Sequence, residues 1–308
     1  MTTPTLEAAA RLQDEFIGTR ISFRWFGVTR SLSSSQSQQA ADVFDADSDS
    51  LVASKRVIAR QLPEMKALNK KRNLIRRWWI DQTLPYPDRA IRLRRRKDLS
   101  NFTDRMESFK VEMDELSGAL QSIRETVIHE ARGRLGHLFN EADYPSSFVG
   151  SFQVSYDFPN LNPDMSLKYM STALYSAEAK RIQQRFEQTI ELTEQMFRAQ
   201  FKALLDKIVE RLDGEPGPTG RKKQFQGTTI TNLHDFFDRF KDLSVGTSDE
   251  LDALVKEAKD VCSGVSIKDV KHYIVVANTV HDNMETISKK LSGLMVDKPK
   301  RKLRFKKK

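Results

Sequence analysis

A heptad pattern of apolar residues constrains the fold of this chain more than any other feature of its sequence. Nine apolar residues follow one another at alternating steps of three and four, and the register then shifts through residues 131, 135 and 138. The nine are Leu99, Phe102, Met106, Phe109, Met113, Leu116, Leu120, Ile123 and Val127. Because side chains at this spacing share one face of an α-helix, the pattern predicts a long helix over 99–138 with a single apolar seam.

Two further apolar stripes predict two more helices. The first covers about 164–212 and consists of Ile182, Phe186, Ile190, Thr193, Phe197, Phe201, Leu204, Ile208 and Leu212. The second consists of Val270, Tyr273, Ala277, Val280, Met284, Ile287, Leu291 and Leu294. With 30% charged residues, the composition also favours long helices. We therefore expect a mostly α fold, an elongated antiparallel hairpin of long helices or a coiled-coil bundle.

A small β element is expected beside these helices. Apolar and polar residues alternate over 21–25 and 148–158, and a short extended segment is predicted over 91–97. Shorter helices are predicted over 3–17, closed by Gly18, and over 52–80 with an interruption near Pro63. The chain is then expected to divide into five segments. They are an N-terminal helix, strand and polar linker (1–50), a basic segment with the hairpin (51–213), a linker (214–223), C-terminal helices (224–297) and a disordered basic tail (298–308).

The charge of the chain is gathered into two basic zones. The net charge is +9, yet residues 55–97 alone carry +12 and residues 298–308 carry +8, which leaves −11 for the rest of the chain. Such asymmetry is typical of proteins that bind polyanions.

The residues of these zones suggest a nucleic-acid interface, since cations neutralise phosphates and indoles stack on bases. The candidates are Lys70, Lys71, Arg72, Arg76, Arg77, Trp78, Trp79, Arg92, Arg94, Arg95, Arg96, Lys97, Lys300, Arg301, Lys302 and Arg304. Two other interpretations stay open. The tryptophans can pack in the core while the arginines pair with carboxylates, or the basic zones can bind an acidic protein.

No motif of catalysis or of metal binding emerges. The only cysteine is Cys262, so neither a disulfide within the chain nor a multi-cysteine zinc site can form. The histidines do not form a His-Glu-x-x-His motif, and the glycine-rich stretch 214–223 does not fit a phosphate-binding loop. We expect a protein without enzymatic activity or cofactor. The chain holds no apolar run of membrane-spanning length and no secretory signal, so we expect a cytoplasmic protein that does not enter membranes.

Several short motifs in the middle of the chain resemble a known family. In order they are residues 83–87 (TLPYP), 135–139 (LGHLF), 143–145 (DYP), 152–154 (FQV) and 158–159 (FP). With the helices around them, these motifs resemble the bacterial and phage proteins called domain of unknown function 3150, over roughly residues 51–264. The family pattern near residues 91–97 is apolar and contains a proline, whereas this chain reads IRLRRRK there.

The resemblance implies a partner, because members of that family are often encoded beside a MoxR-type AAA+ ATPase and a von Willebrand A-type protein. It implies an accessory part of an ATP-driven module of phage or mobile-element origin, and it supplies no catalytic residues. Our first hypothesis is therefore a helical adaptor or scaffold for such an ATPase, and the alternative is a protein that binds DNA or RNA. The apolar seams can be satisfied within the chain or between two copies, so a homo-oligomer also stays open.

Overall fold

The computed structural model describes residues 3–213, 227–265 and 267–295. This described part is mostly helical (69%) with a small antiparallel sheet, which confirms the predicted fold class at that level. The helices are α1 (Thr3–Glu15), α2 (Ser34–Asp42), α3 (Pro63–Asp81), α4 (Leu99–Ser122), α5 (Arg124–Leu135), α6 (Met165–Met170), α7 (Thr172–Leu212), α8 (Gly227–Leu243), α9 (Asp249–Cys262), α10 (Ile267–His272) and α11 (Ile274–Met295). The strands are β1 (Phe16–Trp25), β2 (Thr29–Ser31), β3 (Ser54–Arg56), β4 (Leu84–Pro85), β5 (Arg92–Arg95) and β6 (Phe152–Asp157). β4 pairs with β5, β1 with β6 and β2 with β3, each antiparallel.

The chain divides into two compact units, each built from separate stretches of sequence. The first unit takes the described residues of Met1–Ile17, Gln82–Arg95 and Asn160–Lys308, and the second takes Gly18–Asp81 and Arg96–Pro159. Each unit contains residues from both predicted segments, 1–50 and 51–213. The boundaries of the units therefore differ from those of the predicted segments. The predicted linker 214–223 and basic tail 298–308 lie outside the described residues.

The first unit is organised around α7, which has 41 residues and is therefore about 60 Å long. This helix packs on α11, α1 and α8. Arg198 donates to the carbonyl of Leu294 (2.6 Å) and Lys202 donates to the hydroxyl of Ser288 (2.9 Å). Since residue numbers rise along α7 as they fall along α11, the two helices run antiparallel.

The predicted hairpin between residues 99–138 and 164–212 is not confirmed. α4 and α5 belong to the second unit, where α4 packs on α3 and β6, whereas α7 belongs to the first. The heptad seam is largely buried, with Phe102, Met106 and Phe109 in the core of the second unit. The seam predicted the buried face correctly, but its partners are the 19-residue helix α3 and the strand β6.

In the second unit, β1 and β6 form a regular antiparallel pair. The register runs from Arg20 opposite Asp157 to Trp25 opposite Phe152. Phe152 and Val154 are buried in the same core as the seam of α4, while the alternate residues Gln153, Ser155 and Asp157 are exposed. This alternation is the one predicted for 148–158.

Three of the long predicted helices are interrupted. Ile123 leaves helical geometry (φ −107°, ψ 15°) and separates α4 from α5. Ser171 is extended (φ −162°, ψ 119°), and its hydroxyl accepts a hydrogen bond from the Leu174 amide (3.3 Å), so it caps α7 and separates it from α6. Tyr273 lies between α10 and α11. Apolar spacing does not detect such breaks, because the stripe continues on both sides of them.

The N-terminal region also differs from its prediction. Residues 33–50, expected as a polar linker, contain α2, which begins with a capping box between Ser33 and Gln36. Residues 54–56 form β3, and the predicted helix over 52–80 begins only at Pro63, a residue that suits the first turn of a helix. The first helix ends at Glu15, and Gly18 lies within β1.

Candidate functional site

The two indoles of the basic zone pack against other side chains of the second unit. The ring of Trp78 stacks on Phe102, with centroids 5.5 Å apart, and meets the edge of Phe109 at 5.3 Å. Trp79 is buried and donates from Nε1 to the hydroxyl of Thr19 (3.0 Å). These contacts give both rings a structural role, although Trp79 is buried and Trp78 is only partly buried.

Three of the candidate arginines bind groups within the first unit. Arg92 donates to the hydroxyl (2.7 Å) and the carbonyl (2.8 Å) of Thr83. Arg94 is buried and donates to the carbonyl of Gln82 (2.7 Å). Arg95 forms an ion pair with Glu15 (3.0 Å). These guanidinium groups therefore fasten the β4–β5 hairpin and the end of α1.

Two more candidates make contacts across the second unit. Lys71 forms an ion pair with Glu112, which also accepts hydrogen bonds from Arg105 (2.9 Å) and Ser108 (3.1 Å). The guanidinium of Arg72 lies over the ring of Trp25, 4.3 Å from its centroid. Lys71 thus joins α3 to α4.

The Lys71–Glu112 contact predicts a measurable pH effect. The hydrogen bond from Lys71 lowers the pKa of Glu112, and burial opposes this shift. Because the pKa is lower in the folded chain, the contact adds stability above the ordinary glutamate pKa and loses it as the pH falls through the folded pKa. We expect Lys71→Met to raise the pKa of Glu112, measured by NMR titration of its carboxyl carbon, and Ser108→Ala to raise it less. An unchanged pKa in Lys71→Met would contradict this assignment.

The remaining candidates differ in where they lie. Lys70, Arg76 and Arg77 are exposed on α3, and Arg96 and Lys97 are exposed in the 3-10 turn that precedes α4. Lys300, Arg301, Lys302 and Arg304 lie outside the described residues. Sequence reasoning missed Lys66, which is also exposed on α3. Its position four residues before Lys70, on the same helical face, is the signal that could have found it.

A second surface, in the first unit, is apolar and was not anticipated. Four large apolar side chains are exposed in the ten-residue stretch 165–174, which comprises α6 and the start of α7. They are Met165 (51% exposed), Tyr169 (87%), Met170 (77%) and Leu174 (56%). Their clustering in sequence was visible, but their exposure was not, because the same residues would also suit a buried stripe.

A cleft of about 350 Å³ lies at the start of α7 beside this apolar surface. Its walls come from α1, the segment before α6 and α7, and include Ala9, Ala10, Tyr175, Ala179 and Phe186. The side-chain amide of Gln13, which also lines the cleft, donates to Asn162 (3.1 Å). The small side chains leave space that an apolar side chain from another molecule could fill.

Groups suited to metal or thiol chemistry do not come together in the described part of the chain. No three histidine, cysteine or acidic side chains are placed to share a metal ion among the residues the structure describes. Cys262 is buried, and burial raises the pKa of its thiol to about 11. None of the described helices is long and apolar enough to cross a membrane.

Comparisons with known proteins extend none of these observations. The chain matches no protein-family model, no curated protein and no solved structure.

Proposed function

We propose that the protein is a non-enzymatic adaptor that binds another protein through the apolar surface of α6 and the start of α7. The observation that carries the proposal is the exposure of Met165, Tyr169, Met170 and Leu174 beside an open cleft. Contiguous exposed apolar groups beside a concavity are typical of protein interfaces, because association removes them from water.

The chemistry of this surface indicates the kind of segment it would bind. Ala9, Ala10, Ala179 and Phe186 form the apolar part of the cleft wall, against which an apolar side chain would pack. Lys168 is exposed on α6 and Lys180 is exposed on α7. Their positive charges favour binding of a segment with acidic flanks. A short amphipathic helix with apolar anchors and carboxylates meets both requirements.

The partner we propose is the MoxR-type AAA+ ATPase, or the von Willebrand A-type protein, that the sequence resemblance implies. In such a module of phage or mobile-element origin, acting in the cytoplasm, the chain would hold the ATPase or its substrate. The long helices would then serve as a scaffold. We include in this proposal a hairpin or coiled-coil arrangement of these helices. We also include a homo-oligomer of the chain.

A pull-down with a MoxR-type AAA+ ATPase tests this function. We expect the quadruple variant M165Q/Y169Q/M170Q/L174Q to bind the ATPase at least about 10-fold more weakly than the unchanged chain, since buried apolar anchors dominate interface affinity. The matched control V43Q/F44Q/V111Q/V149Q alters four exposed apolar residues of the second unit and should bind normally. Absence of the ATPase from the pull-down, or equal binding by both variants, would refute the proposal.

A further inference from the structure

The exposed face of α3 carries a row of positively charged side chains. Lys66, Lys70 and Arg77 are exposed and lie within about 40° of one another around the helix axis, and exposed Arg76 lies about 80° round the axis from Lys66. Asn73 occupies the middle of the row. Between residues 65 and 80 the helix has six basic residues and no acidic one.

The other two basic residues of α3 contact side chains of the second unit, so we do not count them in this row. Lys71 pairs with Glu112, and Arg72 lies over Trp25. The acidic residues of α3, Glu64 and Asp81, lie at its two ends. The row Lys66, Lys70, Arg76 and Arg77, here called the α3 cation row, therefore presents four positive charges over about 16 Å of helix.

We infer that the α3 cation row binds the phosphate backbone of duplex nucleic acid without reading its sequence. A DNA duplex carries one negative charge per roughly 1.7 Å of its axis, so a stretch as long as the row offers more than enough phosphates for four cations. Because Trp79 is buried and the ring of Trp78 is already stacked on Phe102, the binding we infer uses phosphate contacts and no stacking on unpaired bases. Phosphate contacts alone position a protein on a duplex and carry no base specificity.

Two other polyanionic partners fit this face less well. Lysine is depleted at protein–protein interfaces, and two of the four cations in the row are Lys66 and Lys70. A helix that lies on a membrane inserts its apolar face into lipid, whereas the apolar face of α3, with Leu68, Ile75 and Trp79, is buried in the core. The inference goes beyond the adaptor function, since it concerns another unit and another class of partner.

Fluorescence anisotropy of the full chain with a labelled 30-base-pair duplex of random sequence tests the inference. Four phosphate contacts contribute a slope of about −3.6 to the plot of log affinity against log salt concentration. We expect K66A/K70A/R76A/R77A to flatten the slope by about that amount and to lower the affinity at least about 10-fold at 100 mM salt. Alanine keeps the helix intact, so circular dichroism should be unchanged.

A matched control removes the same charge from the first unit. K207A/K241A/K256A/K259A alters four exposed lysines and should keep the slope and affinity of the unchanged chain. Equal slopes for the two variants would overturn the inference. It would also be overturned if the α3 variant lost binding to poly-L-glutamate or to phosphatidylserine vesicles while DNA binding was unchanged. Binding of the α3 variant to the ATPase should be normal, so this test and that of the adaptor function can fail separately.

Discussion

Replacing Trp79 by alanine is expected to lower the free energy of unfolding of the second unit by about 3–5 kcal/mol. The indole is 7% exposed and belongs to the core that also contains Leu68 and Ile75. Its Nε1 donates to Thr19, which holds α3 against β1. The substitution therefore leaves a cavity and removes a buried hydrogen bond.

Urea unfolding followed by circular dichroism measures this effect. Arg77→Ala serves as the control on the same helix, because Arg77 is exposed and its loss should change stability by no more than about 0.5 kcal/mol. The two substitutions should also differ in their effect on DNA affinity: the folded Trp79→Ala chain keeps the affinity, and Arg77→Ala lowers it. A stable Trp79→Ala chain with weakened DNA binding would show that the indole binds bases.

Removing the carboxylate of Asp143 is expected to destabilise the second unit by about 3–5 kcal/mol. The Nζ of Lys55 lies 2.8 Å from Oδ2 of Asp143, and the two side chains are only 5% and 15% exposed. Lys55 also donates to the carbonyl of Leu138 (2.7 Å). Asp143→Ala leaves the ammonium group buried without its counter-charge, and a buried unpaired charge costs more than the pair contributes.

A double-mutant cycle checks this explanation. In Lys55→Met/Asp143→Ala neither charge is buried, so the double variant should be more stable than Asp143→Ala alone. Glu141→Ala is the control, because Glu141 pairs with Arg132 on the surface, with side chains 68% and 64% exposed, and such pairs contribute about 0–1 kcal/mol. Additive effects of the two single substitutions would mean that Lys55 and Asp143 are not coupled.

The basic zone shows why a site could be predicted only in part. The sequence identified the surplus of charge over residues 55–97, and Lys70, Arg76 and Arg77 are indeed exposed. The sequence could not identify the groups that bind the other basic residues, because these groups are distant in the chain. Arg95, for example, pairs with Glu15, which lies 80 residues earlier. Charge is a property of composition, whereas its neutralisation depends on which elements the fold brings together.

The fold, like the basic zone, could be predicted from the sequence only in part. The buried face of α4 and the alternation of β6 followed from the sequence alone, since the 3.6-residue and two-residue periods are set by local backbone geometry. Only the tertiary structure decided that α4 packs on α3 and β6, and that α7 packs on α11. An apolar stripe gains the same free energy from any apolar surface that covers it, so its spacing specifies which residues are buried but leaves the choice of partner to the packing of the whole unit.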